Sequence, residues 1–379
     1  MDLKAAALGL GIAGAGILVT AFVRFEIRKP PKFWLLLGAG LIVLAVIGAV
    51  QIVRAPPTDE ETVDEVTPPT PLVPSRLTAI ERLRAMWNSE APAAWPVAAT
   101  LATISETAYL PPVDADEGFR DLGFQECMPI AAGSMIGYVV SADEVTVVVF
   151  RGTDFGEASD WLANLDLTVH PTEHGGIHAG FYEAYLSLQF QVEKLLDRRK
   201  PKHLWITGHS LGGAIAVACA YDIASGDKYP LDGVITFGQP MVARRELADY
   251  LDRVLLGRYA RFVNEADIVP RVPPNFVPCG SLVWFTPTGV LRSKPTMALV
   301  GAAGKLGIPE AEGVEVKPMT EFEFRQLQTR LRSEQLRLPQ DRVGPLRRHG
   351  AVAAGPIDDH SMRLYVEKVR RLLAELPTP

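Results

Sequence analysis

The stretch Trp205–Ala214 reads WITGHSLGGA and combines a strand pattern, a serine between glycines and a helix pattern. The residues before Gly208 are typical of a buried strand, and the alanine-rich run after Gly213 predicts a helix. Between them stands Ser210, with a glycine two positions before it and another two positions after it. This spacing predicts a nucleophile elbow, a turn so tight that larger side chains at those positions would collide with neighbouring backbone. The serine hydroxyl then lies at a sheet edge, above the N-terminus of the helix.

Strand and helix patterns alternate on both sides of this turn. Strands are predicted in EVTVVVFRGT, KHLWIT, LDGVITFGQP and GRYARFVN. Helices are predicted in AGFYEAYLSLQFQVEKLLDRR, GGAIAVACAYDIAS and RRELADYLDRV. This alternation predicts an α/β fold, in which a mostly parallel central sheet carries helices on both faces.

A serine hydroxyl at such a turn needs a base to accept its proton, and histidine is the suitable base near neutral pH. In chains with this kind of elbow, the histidine follows the serine and the orienting acid in sequence. His349 and His360 are the two candidates well downstream of Ser210. His349 lies in the basic, glycine-flanked stretch LRRHG, whereas His360 opens an amphipathic C-terminal helix. The more ordered setting favours His360.

Three aspartates are candidates for the acid that orients the histidine. Asp267, in VNEADIVP, follows a predicted strand and therefore reaches the same edge of the sheet as the elbow. Asp358 and Asp359 directly precede His360, and neighbouring side chains on a loop diverge. The pattern favours Asp267 as the acid, with Asp358 and Asp359 as turn or cap residues.

The negative oxygen that forms during attack on an ester needs two hydrogen-bond donors. The backbone N–H of Leu211, at the start of the helix, is the first candidate. The second comes from the loop after an earlier strand, where Gly152 allows close approach and Thr153 offers both its N–H and its hydroxyl. The alternative interpretation of Arg151–Thr153 is an ordinary turn at the end of a strand.

Taken together, these residues resemble the class 3 lipase family, which includes fungal triacylglycerol lipases and plant phospholipases A1. The similar motifs, in the order of the family, are VVVFRGT, DWLANLD, IHAGFYEAY, ITGHSLGGA, FGQP, VNEADIVPRVPP and a late DDH. The resemblance implies an α/β-hydrolase fold. It also implies Ser210 as nucleophile, Asp267 as acid, His360 as base and Thr153 as the oxyanion residue.

The family further implies an amphipathic lid directly after the oxyanion loop. Here this segment is 158–167, ASDWLANLDL, with Trp161, Leu162 and Leu165 on one face. The alternative is a helix that is docked permanently on the core.

The separation of Asp267 and His360 is longer than in compact fungal members, and the excess falls at about 288–356. This insert contains a predicted helix that begins with a capping box formed by Thr320 and Glu323. One interpretation of such a basic amphipathic helix is that it packs on the domain surface. The alternative is that it rests on an anionic membrane or covers the acyl pocket. Its apolar stripe consists of Phe324, Leu327, Leu331 and Leu338.

Residues 1–54 predict a transmembrane helical hairpin. The uncharged segments 5–23 and 33–53 each approach the ~20 residues that a membrane-spanning helix needs. Buried helices of a soluble domain, or a cleaved signal peptide for the first segment, are the alternatives. The connecting loop is rich in arginine and lysine, which favours the cytoplasmic side for the loop and the extracytoplasmic side for the rest of the chain. Residues 55–74, rich in proline and acid, predict a linker, and 75–379 the hydrolase domain.

Composition excludes several other classes. The net charge of −6 and the absence of a basic face argue against a nucleic-acid partner. The three cysteines fit neither a zinc spacing nor a disulfide framework, which favours small buried side chains, and the site residues require no metal or cofactor.

The sequence thus predicts a membrane-anchored serine hydrolase that cleaves carboxylic ester bonds of lipids, of acylglycerol lipase or phospholipase A type, through an acyl-enzyme. Two alternatives are an esterase or acyltransferase with a non-lipid substrate, and a non-catalytic module that binds lipid or a protein partner.

Overall fold

The computed structural model describes residues 78–88, 94–153, 155–292, 315–337 and 358–374. An eight-stranded sheet lies at the centre of this part of the chain. All of these residues belong to one unit, Pro71–Pro379. The strands are β1 (Glu126–Ala132), β2 (Met135–Ala142), β3 (Val145–Phe150), β6 (His203–His209), β7 (Gly233–Phe237), β8 (Tyr259–Asn264), β9 (Ser281–Thr286) and β10 (Gly289–Arg292). A separate antiparallel pair is formed by β4 (Val169–Thr172) and β5 (Gly175–His178).

The central strands of the sheet are parallel, as the sequence predicts. The spatial order is β1-β2-β3-β6-β7-β8-β9-β10, and every pair from β3 to β9 is parallel. The pairs β1/β2, β2/β3 and β9/β10 are antiparallel. Because the carboxyl ends of β3, β6, β7 and β8 lie at one edge, the loops that carry the predicted site residues converge there.

Helices cover both faces of the sheet. One face carries α4 (Phe155–Asn164), α5 (Ala179–Arg199), α6 (Leu211–Gly226), α7 (Arg245–Val254) and α8 (Glu321–Arg337). The other face carries α1 (Ala79–Asn88), α2 (Ala94–Thr107), α3 (Pro112–Asp121) and α9 (Met362–Ala374). Strand β3 shows why both faces need cover: Val148 joins the first core, while Val147 and Val149 join the second.

The helix predicted within the insert is confirmed as α8, and it begins with the predicted capping box. The Thr320 N–H donates to the Glu323 carboxylate at 2.8 Å, and the Glu323 N–H donates to the Thr320 hydroxyl at 3.2 Å. Phe324, Leu327 and Leu331 are buried in the core between α8 and the domain. The helix is therefore packed on the domain.

Within the described ranges, no helix combines the length and the apolar character that crossing a bilayer requires. The predicted transmembrane segments 5–23 and 33–53 and the predicted linker 55–74 lie outside these ranges, as does Leu338. The three cysteines are free, with Cys219 and Cys279 buried and Cys127 half-buried.

Candidate active site

Ser210 occupies a strained turn between β6 and α6. Its backbone angles are φ 59° and ψ −131°, a conformation that residues with a side chain rarely adopt, and its side chain is buried. Close packing of the residues before and after Ser210 holds this strained backbone conformation in place. A Cβ atom at position 208 would lie 2.4 Å from the Gly212 carbonyl oxygen, and one at position 212 would lie 2.1 Å from the Phe150 carbonyl oxygen. The glycines two positions before and after the serine are therefore required by space, as the elbow pattern predicts.

The loop after β3 lies directly against this turn. A Cβ atom at Gly152 would lie 2.5 Å from the His209 carbonyl oxygen and 3.0 Å from the Cβ atom of Ser210. Thr153, the next residue, is half-buried. Leu211 is the first residue of α6, where a backbone N–H has no acceptor within the helix. The two predicted oxyanion donors thus come from segments that flank Ser210.

Asp267 and His360 are in direct contact, and each is only 1% exposed. The Nδ1 atom of His360 lies 2.8 Å from Oδ2 and 3.0 Å from Oδ1 of Asp267. The Asp267 carboxylate also accepts the Val269 N–H at 2.9 Å and the Tyr365 hydroxyl at 2.6 Å. Because the carboxylate can only accept, Nδ1 of His360 carries the proton and Nε2 presents its lone pair.

No sequence motif points to Tyr365, which lies on α9 and is fully buried. Its hydroxyl accepts the Asn264 N–H at 2.9 Å while it donates to Asp267. Burial, followed by the charge of the Asp267 carboxylate, raises the pKa of Tyr365 well above its ordinary value. The phenol therefore stays protonated and remains a donor to the carboxylate.

Gly238 is a second site residue to which the sequence motifs assign no role. It follows β7 with φ 55°, and a Cβ atom there would lie 2.8 Å from Cε1 of His360 and 3.0 Å from Oδ2 of Asp267. The glycine therefore provides the space in which the imidazole and the carboxylate meet. The motif FGQP contains this signal, since a glycine at the end of a strand often marks close approach of another group.

The structure brings Ser210 to the same edge of the sheet as the pair of Asp267 and His360. The Ser210 N–H donates to the Phe237 carbonyl oxygen at 3.0 Å, one residue before Gly238. The His209 ring stacks on the His360 ring with centroids 4.6 Å apart. The Oγ atom of Ser210 and the Nε2 atom of His360 are both buried, and neither has a hydrogen-bond partner among the described residues.

The alternative site residues fall elsewhere. Asp359 accepts the Ala266 N–H at 3.2 Å with its carboxylate, which is the behaviour of a turn residue. Asp358 lies beside it in a 3₁₀ turn, Asp358–His360. His349 lies outside the described residues.

The predicted lid segment overlaps α4, which ends at Asn164. Leu162 and Leu165 are buried, and the half-buried Trp161 lies 6.0 Å from the Phe181 ring, centroid to centroid. Helix α8 contacts the C-terminal end of α4, where the Arg332 guanidinium donates to the Ala163 carbonyl oxygen at 2.7 Å. The role of α4 as a lid remains a prediction.

The mostly parallel sheet, with helices on both faces and a strained serine at a strand–helix turn, defines the class of the protein as an α/β-hydrolase fold. Residues 147–277 match the family model described as lipase (class 3). This match and the fungal lipase relatives support the class 3 lipase family for this part of the chain.

Two curated relatives illustrate the similarity. The chain is 33% identical over 158 residues to a lipase of Rhizomucor miehei, covering 38% of this chain and 43% of that protein. It is 31% identical over 174 residues to the chloroplastic phospholipase A(1) DAD1 of Arabidopsis thaliana, covering 37% and 38%. The chain thus spans less than half the length of these relatives.

Among solved structures, the triacylglyceride lipase of Rhizomucor miehei aligns with a TM-score of 0.44 at 26% identity, covering 50% of this chain and 80% of that chain.

Proposed function

We propose that this chain is a serine hydrolase that cleaves carboxylic ester bonds of lipids, of acylglycerol lipase or phospholipase A type. The observation that carries the proposal is the pair of buried atoms without partners, Oγ of Ser210 and Nε2 of His360, beside an imidazole that Asp267 orients. Unsatisfied buried polar atoms are rare in folded proteins, and these two are the atoms that nucleophilic catalysis uses.

In the proposed reaction, the Oγ atom of Ser210 attacks the ester carbonyl carbon while Nε2 of His360 accepts its proton. Asp267 stabilises the resulting imidazolium. The N–H groups of Leu211 and Thr153, with the Thr153 hydroxyl, stabilise the oxyanion. When the tetrahedral intermediate collapses, the C–O bond to the alcohol breaks and His360 returns the proton to the leaving oxygen. Water then attacks the acyl-enzyme by the same route, and the fatty acid leaves as the serine regains its proton.

The experiment uses the purified full-length protein in detergent, with three substrates: a short-chain p-nitrophenyl ester, emulsified triacylglycerol, and phospholipid vesicles. We expect hydrolysis of at least one lipid substrate, together with labelling by a fluorophosphonate probe. Ser210→Ala should abolish labelling and lower kcat by several orders of magnitude.

The outcomes separate the alternatives. Hydrolysis of the short-chain p-nitrophenyl ester alone would indicate an esterase with a non-lipid substrate. A protein that neither hydrolyses esters nor reacts with the probe would be a binding module, and the proposal would be wrong. Ser210→Ala protein that keeps full activity would also refute it.

We also propose that segments 5–23 and 33–53 anchor the domain to a membrane, with the domain on the extracytoplasmic side. Two long uncharged segments that flank a basic loop support this topology. A reporter that is active only in the cytoplasm, fused after residue 75, tests the orientation. Activity of this fusion would contradict the extracytoplasmic placement of the domain. Release of the protein from membranes at alkaline pH, without detergent, contradicts the anchor.

A further inference from the structure

The histidine that precedes the serine, His209, links two distant parts of the site. It ends β6 and is 5% exposed. Its Nε2 atom lies 2.7 Å from the backbone carbonyl oxygen of His360, and its Nδ1 atom lies 2.8 Å from the Tyr109 hydroxyl. Tyr109 follows α2, so the imidazole joins an N-terminal segment of the domain to the C-terminal turn that carries His360.

The partners of His209 fix the position of its proton. A carbonyl oxygen can only accept, so Nε2 of His209 carries the hydrogen and donates it to His360. The lone pair of Nδ1 then accepts the hydroxyl hydrogen of Tyr109. Burial, followed by the charge that His360 can carry, lowers the pKa of His209 well below its ordinary value. His209 is therefore a neutral ring with both nitrogen atoms satisfied.

Besides the contact of the His360 ring with Asp267, three described hydrogen bonds hold the turn Asp358–His360. Two of them join Asp359 to the end of β8, from the Asn264 side-chain amide at 2.8 Å and the Ala266 N–H at 3.2 Å. The third, from His209, joins the backbone of His360 itself to the strand that leads to Ser210. Of these three, only the His209 bond fixes His360 relative to the elbow.

Ring stacking adds a second contact at the same place. The two imidazoles lie 4.6 Å apart at an interplanar angle of 29°. A neutral ring against the face of His360 fills the space beside it and adds no positive charge when His360 becomes protonated. A proton on His209 would repel that charge, and the bond from Tyr109 opposes such protonation because it occupies the Nδ1 lone pair.

We propose that His209 is a positioning residue that holds His360 in register with Ser210, and that Tyr109 fixes the tautomer of His209 that makes this possible. The inference rests on the proposed function, since it assumes that His360 is the base for Ser210.

Two isosteric substitutions separate the two bonds of His209. In His209→Gln, the side-chain amide nitrogen reaches the position of Nε2 and can still donate to His360. In His209→Asn, the amide reaches only the position of Nδ1, so the bond to Tyr109 can form while the bond to His360 is lost. We expect His209→Asn to lower kcat about a hundredfold with KM unchanged, the loss typical of a displaced catalytic group. His209→Gln should stay within about tenfold of wild type, the equivalent of one ordinary hydrogen bond.

His203→Asn is the matched control, because it makes the same substitution at the opposite end of the same strand. Its kcat should equal that of the wild type. Tyr109→Phe removes only a hydroxyl group and should fold even if both His209 variants do not. It should lower kcat about tenfold at constant KM, because one bond that fixes the His209 tautomer is lost.

The low-field proton resonance of His360 Nδ1–H gives a readout that needs no turnover. In full-length Ser210→Ala protein, it should persist with His209→Gln and broaden or vanish with His209→Asn. If the wild type hydrolyses no ester, the proposed function fails, and this resonance alone then decides the positioning role. The inference is overturned if His209→Asn retains wild-type kcat and resonance, or if the Asn and Gln variants lose both equally.

Discussion

The hydroxyl of Tyr365 donates a 2.6 Å hydrogen bond to the carboxylate of Asp267, on the same oxygen that receives Nδ1 of His360. The two donors share one charged acceptor in a fully buried site. Charge-assisted hydrogen bonds are about twice as strong as neutral ones, and burial raises the cost of losing one. The position of the carboxylate therefore depends on a residue 98 positions away in the sequence.

Replacement of this tyrosine tests the dependence. Tyr365→Phe leaves the Asn264 N–H without its acceptor and removes one donor from Asp267. We expect the free energy of unfolding to fall by about 2 kcal/mol, the usual cost of a lost hydrogen bond to a charged group. We expect kcat to fall about tenfold, because the carboxylate then orients the imidazole less firmly. Urea unfolding and ester hydrolysis measure the two effects.

Tyr229→Phe is the control, since Tyr229 donates to Asp197 at 2.8 Å on the exposed surface. It should cost under about 1 kcal/mol, as exposed hydrogen bonds do, and leave kcat unchanged. Equal losses of stability for the two variants would contradict a special role for the buried bond.

A methyl group at Gly238 should disrupt the pair of Asp267 and His360. Gly238→Ala forces a residue with a side chain to adopt φ 55° and places its Cβ atom 2.8 Å from Cε1 of His360. We expect kcat to fall at least about a hundredfold, because the imidazole must move to relieve the contact. Steady-state kinetics measure the loss of activity, and thermal unfolding measures the loss of stability.

Gly257→Ala separates backbone strain from the local clash. Gly257 has φ 77°, and a Cβ atom there would meet nothing within 4 Å. This variant should lose about 1 to 2 kcal/mol of stability from the left-handed backbone alone and keep its kcat. If Gly238→Ala behaves in the same way, the space beside Gly238 is not needed by His360.

A second histidine–aspartate pair, between the half-buried His203 and the buried Asp232, lies at the opposite edge of the sheet and predicts a pH effect on stability. His203 Nδ1 lies 2.9 Å from Asp232 Oδ2, and burial raises the pKa of Asp232 to about 6. The folded state therefore binds this proton more tightly than the unfolded chain does. The stabilising contribution of the protonated carboxyl is complete below about pH 4 and is lost as the pH rises through about 6.

Comparison with Asp232→Asn isolates this contribution, because asparagine keeps a polar side chain of the same size that does not titrate. The free energy of unfolding of the wild type, minus that of the variant, should decrease between pH 4 and pH 7. Urea unfolding at a series of pH values measures this difference. A difference that is constant or increasing over the range contradicts the raised pKa of Asp232.

The sequence predicts the parallel centre of the fold because each of its signals is local. Strand β3 contains a continuous β-branched run, Val145–Val149, and Gly152 follows two residues after the strand ends. The elbow at Ser210 is encoded within five residues. The sequence does not predict β1, because Pro129 interrupts its pattern; the structure places β1 at the edge of the sheet, where proline is tolerated. The roles of Tyr365 and Tyr109 could not be predicted, because each depends on a partner about 100 positions away.

Helix α8 fixes the end of α4 by capping its carbonyl groups. Arg332 donates to the Ala163 carbonyl oxygen at 2.7 and 3.1 Å, and the Gln328 amide donates to the Leu162 and Leu165 carbonyl oxygens at 3.3 and 2.8 Å. The last carbonyl groups of a helix have no hydrogen-bond donor within the helix and carry partial negative charge. A guanidinium supplies both the donor and a compensating positive charge.

Arg332→Ala should therefore loosen α4 without unfolding the domain. Loss of hydrogen bonds to a charged donor costs about 2 kcal/mol, which corresponds to a roughly thirtyfold increase in local opening. Hydrogen exchange measured by mass spectrometry should accelerate by this factor in peptides covering 155–164, while α6 keeps its protection. Arg325→Ala is the control, because Arg325 lies on the same helix but is exposed and paired only loosely, at 3.8 Å, with Glu321. Equal exchange of α4 in the two variants would show that apolar packing of α8, rather than the capping bonds, holds this helix.

If α4 is the predicted lid, Arg332→Ala should also hydrolyse emulsified triacylglycerol faster than the wild type, because the helix then opens at a lower cost in free energy.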